Sequence, residues 1–120
     1  MQDAILLISS NLFFFPRIKA AANKCNLSTK MITNPVDLDN AKKNHNVQFI
    51  LIDLEFEIWD DILNSIKSKD IPYKSIIAFG PHSDTDSFEK AKNLGCTSVL
   101  PKGTFSNKLN DLFNESSLNV

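Results

Sequence analysis

An aspartate and a lysine, Asp53 and Lys102, stand out because each directly follows a short apolar run of the chain. Asp53 closes the run VQFILID, and Lys102 closes TSVLPK. At strand ends in an open parallel sheet, both side chains would project from the carboxyl edge, where α/β proteins bind ligands and carry out chemistry. A carboxylate and an ammonium placed there form either a reactive site or an exposed ion pair worth about 0 to 1 kcal/mol. Both interpretations stay open at this point.

A second candidate cluster lies in the segment GPHSDTD, which places His82 close in sequence to Asp84 and Asp86. A catalytic or metal-binding role requires several of these side chains to converge. The two aspartates are also explained as residues at a helix N-terminus, where carboxylates complement the helix dipole. His82 is more simply a loop residue. We therefore favour a helix start over a metal site in this segment.

Apolar runs and helical patterns alternate along the chain and indicate the elements that position these residues. Asn34 before Pro35 predicts one helix start, Ser83 and Asp86 have capping-box spacing, and Gly95 suits a helix end. The predicted strands are residues 4–8, 28–33, 47–52, 75–79 and 97–100, and the predicted helices fall within residues 12–24, 34–43, 58–66, 83–95 and 105–113.

This alternation predicts an α/β fold, because each parallel crossover needs a helix to return the chain. We expect a single five-stranded parallel sheet with helices on both faces, the (βα)5 arrangement of flavodoxin-like proteins. The strand at residues 47–52 is almost entirely apolar, as is typical of the centre of such a sheet. One domain is expected over residues 1–115, with a flexible tail over residues 116–120 and no effector domain.

Composition excludes several classes of function. The chain carries 13 basic and 14 acidic residues in 120, without a block of one sign, so we expect neither nucleic acid nor a membrane surface as a partner. Cys25 and Cys96 lack zinc-site spacing and are expected to be free thiols. The first apolar run is too short to span a bilayer, and we expect a cytoplasmic protein.

Three consecutive aromatic residues, Phe13 to Phe15, follow the first predicted strand. Three adjacent helical residues cannot all face one way, so one or two of these rings should enter the core. The remaining ring would cover the sheet edge or contact a partner.

The order of elements and the residues at their ends resemble the CheY-like receiver domain of two-component response regulators. The resemblance runs from ILLISSN through FILIDLE and IIAFG to GCTSVLPKGTF and so covers nearly the whole chain. It implies that Asp53 is the phosphoacceptor position and that Lys102 is the lysine that contacts the phosphoryl group. It also implies a histidine kinase or another signalling regulator as the partner.

The remaining positions of the receiver pattern depart from the family. The acidic pair falls on Ser9 and Ser10, the hydroxyl position on Gly80 and the aromatic switch on Val99. Glycine cannot donate a hydroxyl hydrogen bond, and valine has no ring to rotate inward. The resemblance therefore indicates a degenerate receiver whose route from phosphate to its output surface is interrupted.

Loss of the acidic pair also weakens the expected cofactor site. Mg²⁺ requires oxygen ligands in near-octahedral geometry, and the hydroxyls of Ser9 and Ser10 are poor substitutes for carboxylates. Asp53 would then hold Mg²⁺ only weakly unless Glu55, Glu57 or Asp84 supplies a replacement ligand. Glu55 lies two residues beyond Asp53, at the position where the receiver family supplies a backbone carbonyl to the metal. With fewer like charges nearby and Lys102 at hand, we expect a low pKa for Asp53 and an Asp53–Lys102 ion pair.

Three functions follow as hypotheses. The favoured one is a stand-alone receiver-like protein with an incomplete phosphorylation site, which is not an enzyme and acts by protein–protein interaction. The alternative is a working response regulator that accepts phosphate on Asp53 through an unconventional Mg²⁺ site. A flavodoxin-type cofactor protein is disfavoured, because the loop SSNLFFF has no glycine to bring backbone amides onto a phosphate.

Overall fold

Strands and helices alternate in the computed structural model, which describes residues 2–114. Every helix in that range is too short or too polar to cross a membrane. The strands are β1 (Gln2–Ile8), β2 (Ser28–Ile32), β3 (His45–Asp53), β4 (Ser75–Gly80) and β5 (Ser98–Pro101), and the helices are α1 (Phe15–Asn23), α2 (Pro35–Asn44), α3 (Trp59–Ser68), α4 (Thr85–Asn93) and α5 (Lys102–Lys108).

The strands form one five-stranded parallel sheet in the order β2-β1-β3-β4-β5. The predicted fold class is therefore confirmed. β3 lies at the centre and sends alternate side chains to opposite faces: Ile50 and Ile52 to one face, Phe49 and Leu51 to the other. Its nearly continuous apolar sequence follows from burial on both sides.

Each face of the sheet has its own apolar core. One core includes residues from α2, α3 and α4, among them Leu38, Ile62 and Ala91. The other includes residues from α1 and α5, among them Ile18 and Phe105. The two layers of helices fix the carboxyl edge of the sheet from both sides, which is the edge that carries the candidate site.

Two of the three predicted helix boundary signals are confirmed. Asn34 caps α2 by accepting a hydrogen bond from the backbone nitrogen of Asp37. Gly95 follows α4 with a φ of 93°, a left-handed conformation that glycine adopts at little cost. The capping box at Ser83 is wrong, because Asp84 is the N-cap of α4 and accepts from the backbone nitrogen of Ser87 at 3.2 Å.

Three helices differ from the predicted patterns at their ends. α1 begins at Phe15, after a segment in which the side chain of Asn11 accepts from the backbone nitrogen of Phe13 at 2.8 Å. α3 begins after Ile58, which is exposed, while Trp59 takes the buried position. α5 ends at Lys108, and turns over residues 109–113 continue the buried stripe that the sequence indicated. The predicted tail at residues 116–120 lies outside the described residues.

Candidate functional site

The carboxylate of Asp53 lies at the end of β3 and is almost fully buried, with 4% of its surface exposed. β1 is paired beside β3 with Ile8 opposite Ile52, so the next residue of β1, Ser9, lies close to Asp53. The Ser9 hydroxyl donates to Asp53 Oδ2 at 2.8 Å, and the backbone nitrogen of Glu55 donates to Oδ1 at 2.9 Å. Both carboxylate oxygens therefore already accept hydrogen bonds from the protein.

Burial raises the pKa of Asp53 above its ordinary value of 3.8. The hydrogen bond from Ser9 and the positive charge of Lys102 lower it, but by less than burial raises it. The predicted low pKa is therefore wrong. Neighbouring charges can be read from the sequence, but the cost of removing this carboxylate from water cannot, and that cost is the larger effect here.

Lys102 begins α5 directly after β5 and forms an ion pair with Glu55 through Nζ and Oε1. The predicted ion pair between Lys102 and Asp53 is therefore wrong as to its acidic partner. Both side chains of the observed pair are partly exposed, so they meet without the desolvation that a pair with buried Asp53 would require. The Lys102 ammonium also lies 6.0 Å from the centre of the Phe14 ring.

The two serines after β1 have different environments. Ser9 is buried, and its hydroxyl oxygen accepts from the backbone nitrogen of Asn11 at 3.0 Å while donating to Asp53. Ser10 is exposed. The structure thus brings Ser9 but not Ser10 into contact with the Asp53 carboxylate.

Gly80 ends β4 and lies opposite Pro101 of β5. A Cβ placed on Gly80 would lie 3.0 Å from the Cβ of Leu54, the residue after Asp53. Any longer side chain at residue 80 therefore conflicts with Leu54. Sequence reasoning missed this contact, because residues 54 and 80 carry no pattern that links them.

Val99 lies in β5, and His82 lies in the loop between β4 and α4. Val99 of β5 is partly buried against the core formed with α2, α3 and α4. His82 is exposed in the loop before α4, and Asp84 of the same loop is engaged as the helix cap. Within residues 2–114, no three histidine, cysteine or acidic side chains lie close enough together to hold a metal ion.

Of the three consecutive aromatic residues beside the site, two pack against the core and one is exposed, as their adjacent positions predict. Phe14 packs edge-on against Phe79 and Phe105, at centroid distances of 5.9 and 6.1 Å. Phe15 is partly buried against the same core. Phe13 is 76% exposed next to Leu12, which is also exposed. Phe14 therefore contacts the apolar core while its ring also faces the Lys102 ammonium.

Mg²⁺ does not fit the residues at this edge. A magnesium site uses carboxylate oxygens that are free to point at the ion. Asp53 supplies one buried carboxylate whose two oxygens accept from Ser9 and Glu55, and the Glu55 carboxylate is bound to Lys102. Each carboxylate described at this edge is therefore already engaged by a protein group, and neither is free to serve as a ligand without giving up that contact.

No family model matches the chain, and no curated protein matches its sequence. Solved structures match the fold over nearly its full length. A response regulator from Thermotoga maritima has a TM-score of 0.71 at 13% identity, covering 96% of this chain and 97% of that one. A response regulator receiver protein from Pseudoalteromonas atlantica has a TM-score of 0.74 at 10% identity, covering 97% of each chain.

A response regulator receiver domain protein from Clostridium thermocellum matches at 21% identity with a TM-score of 0.67, covering 98% of this chain and 99% of that one. The resemblance found in the sequence is thus confirmed for the fold. At these identities, the likeness concerns the fold alone.

Proposed function

Because the chain has the fold of response-regulator receiver domains, we propose that it is a receiver-like signalling module that acts by binding other proteins. The proteins with similar structures are described as response regulators or receiver domains, which supports a role in two-component signalling. The partner we propose is a histidine kinase or another regulator of such a pathway, encountered in the cytoplasm.

One observation carries the proposal that the phosphorylation site is incomplete. The carboxylate of Asp53 accepts hydrogen bonds at both oxygens, from Ser9 and from the backbone of Glu55. An aspartate attacks a phosphoryl group through an oxygen lone pair directed at phosphorus, and the charge on the transferred group must be neutralised. Each Asp53 oxygen already directs one lone pair at a protein donor, which restricts that approach. Here the nearest cation, Lys102, is paired with Glu55. These contacts favour a binding module over a phosphoryl acceptor.

The alternative is a phosphoaccepting regulator that uses Asp53 in an unconventional way. In its favour, Asp53 ends β3 and Lys102 directly follows β5, so aspartate and lysine share the carboxyl edge of the parallel sheet. Phosphorylation would require Glu55 to release Lys102 and Ser9 to release Asp53. Burial raises the pKa of Asp53 because its charged form is poorly solvated, and this shift by itself favours neither function.

Intact-mass spectrometry after incubation with acetyl phosphate, with and without Mg²⁺, separates the two functions. A conventional receiver domain treated in parallel shows that the phosphoryl donor is active. We expect no phosphoryl adduct on this protein under either condition. An adduct that requires Mg²⁺ and is lost in Asp53→Asn would overturn the proposal and establish the alternative.

Binding is tested separately by immobilising the folded protein and the Asp53→Asn variant and probing both with purified histidine kinases and receiver proteins. We expect a specific partner to bind both forms equally well, because the proposed interaction does not depend on phosphate. Failure to bind any signalling protein of this kind would count against the proposal.

A further inference from the structure

The side chain of Glu55 reaches from the loop after β3 to Lys102 at the start of α5. The two side chains are 47% and 33% exposed, so their ion pair is accessible to solvent, whereas Asp53 is buried. It connects two segments that are separated in the sheet by β4. An anion that approaches Lys102 from solvent meets this pair first.

Glu55 is also held at its backbone. Its amide nitrogen donates to Asp53 Oδ1 at 2.9 Å, and the next residue, Phe56, donates through its backbone nitrogen to the Asp53 carbonyl at 3.0 Å. The loop therefore closes back on Asp53 and presents the Glu55 carboxylate toward Lys102. Glu55 therefore contacts both residues of the candidate site: its amide nitrogen donates to Asp53, and its carboxylate forms the ion pair with Lys102.

We propose that the Glu55 carboxylate is an internal lock on Lys102, which competes with phosphoryl or carboxylate groups from outside the chain. The inference rests on the proposed function and adds a means of regulation to the same site. An anion from outside the chain binds the Lys102 ammonium only when the Glu55 side chain has moved away from it. A partner that offers a cation to Glu55 would open the lock and free Lys102.

The exposure of the pair sets the strength of this lock. Exposed ion pairs contribute little free energy, because water and salt screen both charges. The lock is therefore reversible, and removing it should tighten anion binding by about two- to fivefold. High salt should reduce the difference, since it weakens the competing pair and the anion contact together.

The test is a titration with inorganic phosphate in Mg²⁺-free buffer at low ionic strength, followed by the NMR signals of the Lys102 ammonium and of the Gly103 amide. Glu55→Gln removes the charge that holds Lys102. Glu57→Gln is the matched control, because Glu57 is an exposed carboxylate two residues away that forms no ion pair within residues 2–114. A second variant, Glu55→Asp, keeps the charge but shortens the side chain by one methylene.

We expect Glu55→Gln to bind phosphate about two- to fivefold more tightly than the unmodified protein, and Glu57→Gln to bind it less tightly than Glu55→Gln. Adding Lys102→Gln to Glu55→Gln should abolish the gain, and Glu55→Asp should show part of it. Equal titrations for Glu55→Gln and Glu57→Gln would overturn the inference, as would a Glu55→Gln protein that does not respond to phosphate.

The outcome is independent of the mass measurement on acetyl phosphate. Inorganic phosphate transfers no phosphoryl group to Asp53, so the titration reports only on access to Lys102. A covalent adduct would refute the binding-module proposal even if Glu55→Gln tightens phosphate binding. Conversely, equal phosphate titrations for Glu55→Gln and Glu57→Gln would refute the proposed role of Glu55. They would not affect the proposal that the phosphorylation site is incomplete.

Discussion

The backbone of Gly80 lies directly against the side chain of Leu54, since a Cβ at residue 80 would come within 3.0 Å of the Leu54 Cβ. Leu54 is buried, and its backbone nitrogen donates to the carbonyl of Phe79 at 2.9 Å. A side chain at residue 80 would require Leu54 to shift by a few tenths of an ångström within its packing. Close packing against Leu54 therefore disfavours the hydroxyl-bearing side chain that the receiver pattern has at residue 80.

Restoring the hydroxyl with Gly80→Ser should destabilise the fold. Overpacking against a buried side chain costs about 1–3 kcal/mol in the free energy of unfolding, which urea denaturation measures. Gly103→Ala is the control, because no atom lies within 4 Å of a Cβ built there. Gly103 is in the first turn of α5, so the alanine should leave stability unchanged or raise it by less than about 1 kcal/mol. A Gly80→Ser protein as stable as the unmodified one would contradict this account.

The arrangement of the sheet could be predicted because it depends on local pattern. The apolar run that ends at Asp53 indicates a strand buried on both faces, and β3 is the central strand. The same pattern places Asp53 and Lys102 at strand or helix ends on one edge. Helix boundaries were less certain, since Ser83 and Asp84 are both acceptable caps in sequence and only Asp84 accepts the hydrogen bond.

The contacts of the site could not be predicted in the same way. Whether Lys102 pairs with Asp53 or with Glu55 depends on which carboxylate is buried, and sequence spacing does not give that. The raised pKa of Asp53 has the same origin, because desolvation depends on how closely the surrounding chain excludes water. The receiver pattern predicts Ser9 only as a poor substitute for a metal-binding carboxylate, whereas its position beside Asp53 makes it a hydrogen-bond donor.

Phe13 and Phe14 should differ sharply in their effect on stability. Phe14→Ala removes a ring that packs against Phe79 and Phe105, and we expect a loss of about 1–3 kcal/mol for this partly buried side chain. Phe13→Ala removes an exposed ring and should change stability by less than about 0.5 kcal/mol. Thermal and urea denaturation of the two variants compare them directly. Equal losses would show that Phe13 is also part of the core.

Cys96 should be unreactive in the folded protein. Burial raises the pKa of its thiol to about 11, so very little of the reactive thiolate is present at pH 8. We expect iodoacetamide to modify Cys96 much more slowly in the native protein than in urea, as followed by mass spectrometry of the Cys96 peptide. Rapid modification of the native protein at pH 8 would contradict the burial of this thiol.

The ionisation of Asp53 should lower the stability of the fold. Its pKa is raised above the ordinary 3.8 because the folded protein excludes water from the carboxyl group. Between that ordinary value and the raised one, the folded state keeps a proton that the unfolded state has released. Stability therefore falls as pH rises through this window, and the loss persists at higher pH.

Asp53→Asn should remove this loss, because the amide is neutral at every pH and its oxygen can still accept a hydrogen bond. We expect the free energy of unfolding of the unmodified protein, relative to that of Asp53→Asn, to decrease as pH rises from about 3.8 toward neutrality. Urea denaturation at a series of pH values measures it, with Asp111→Asn as a control for loss of an exposed carboxylate. An increase over the same range would mean that Ser9 and Lys102 stabilise the charged form by more than burial destabilises it. Asp53 would then be a carboxylate whose contacts, and not its burial, decide its ionisation.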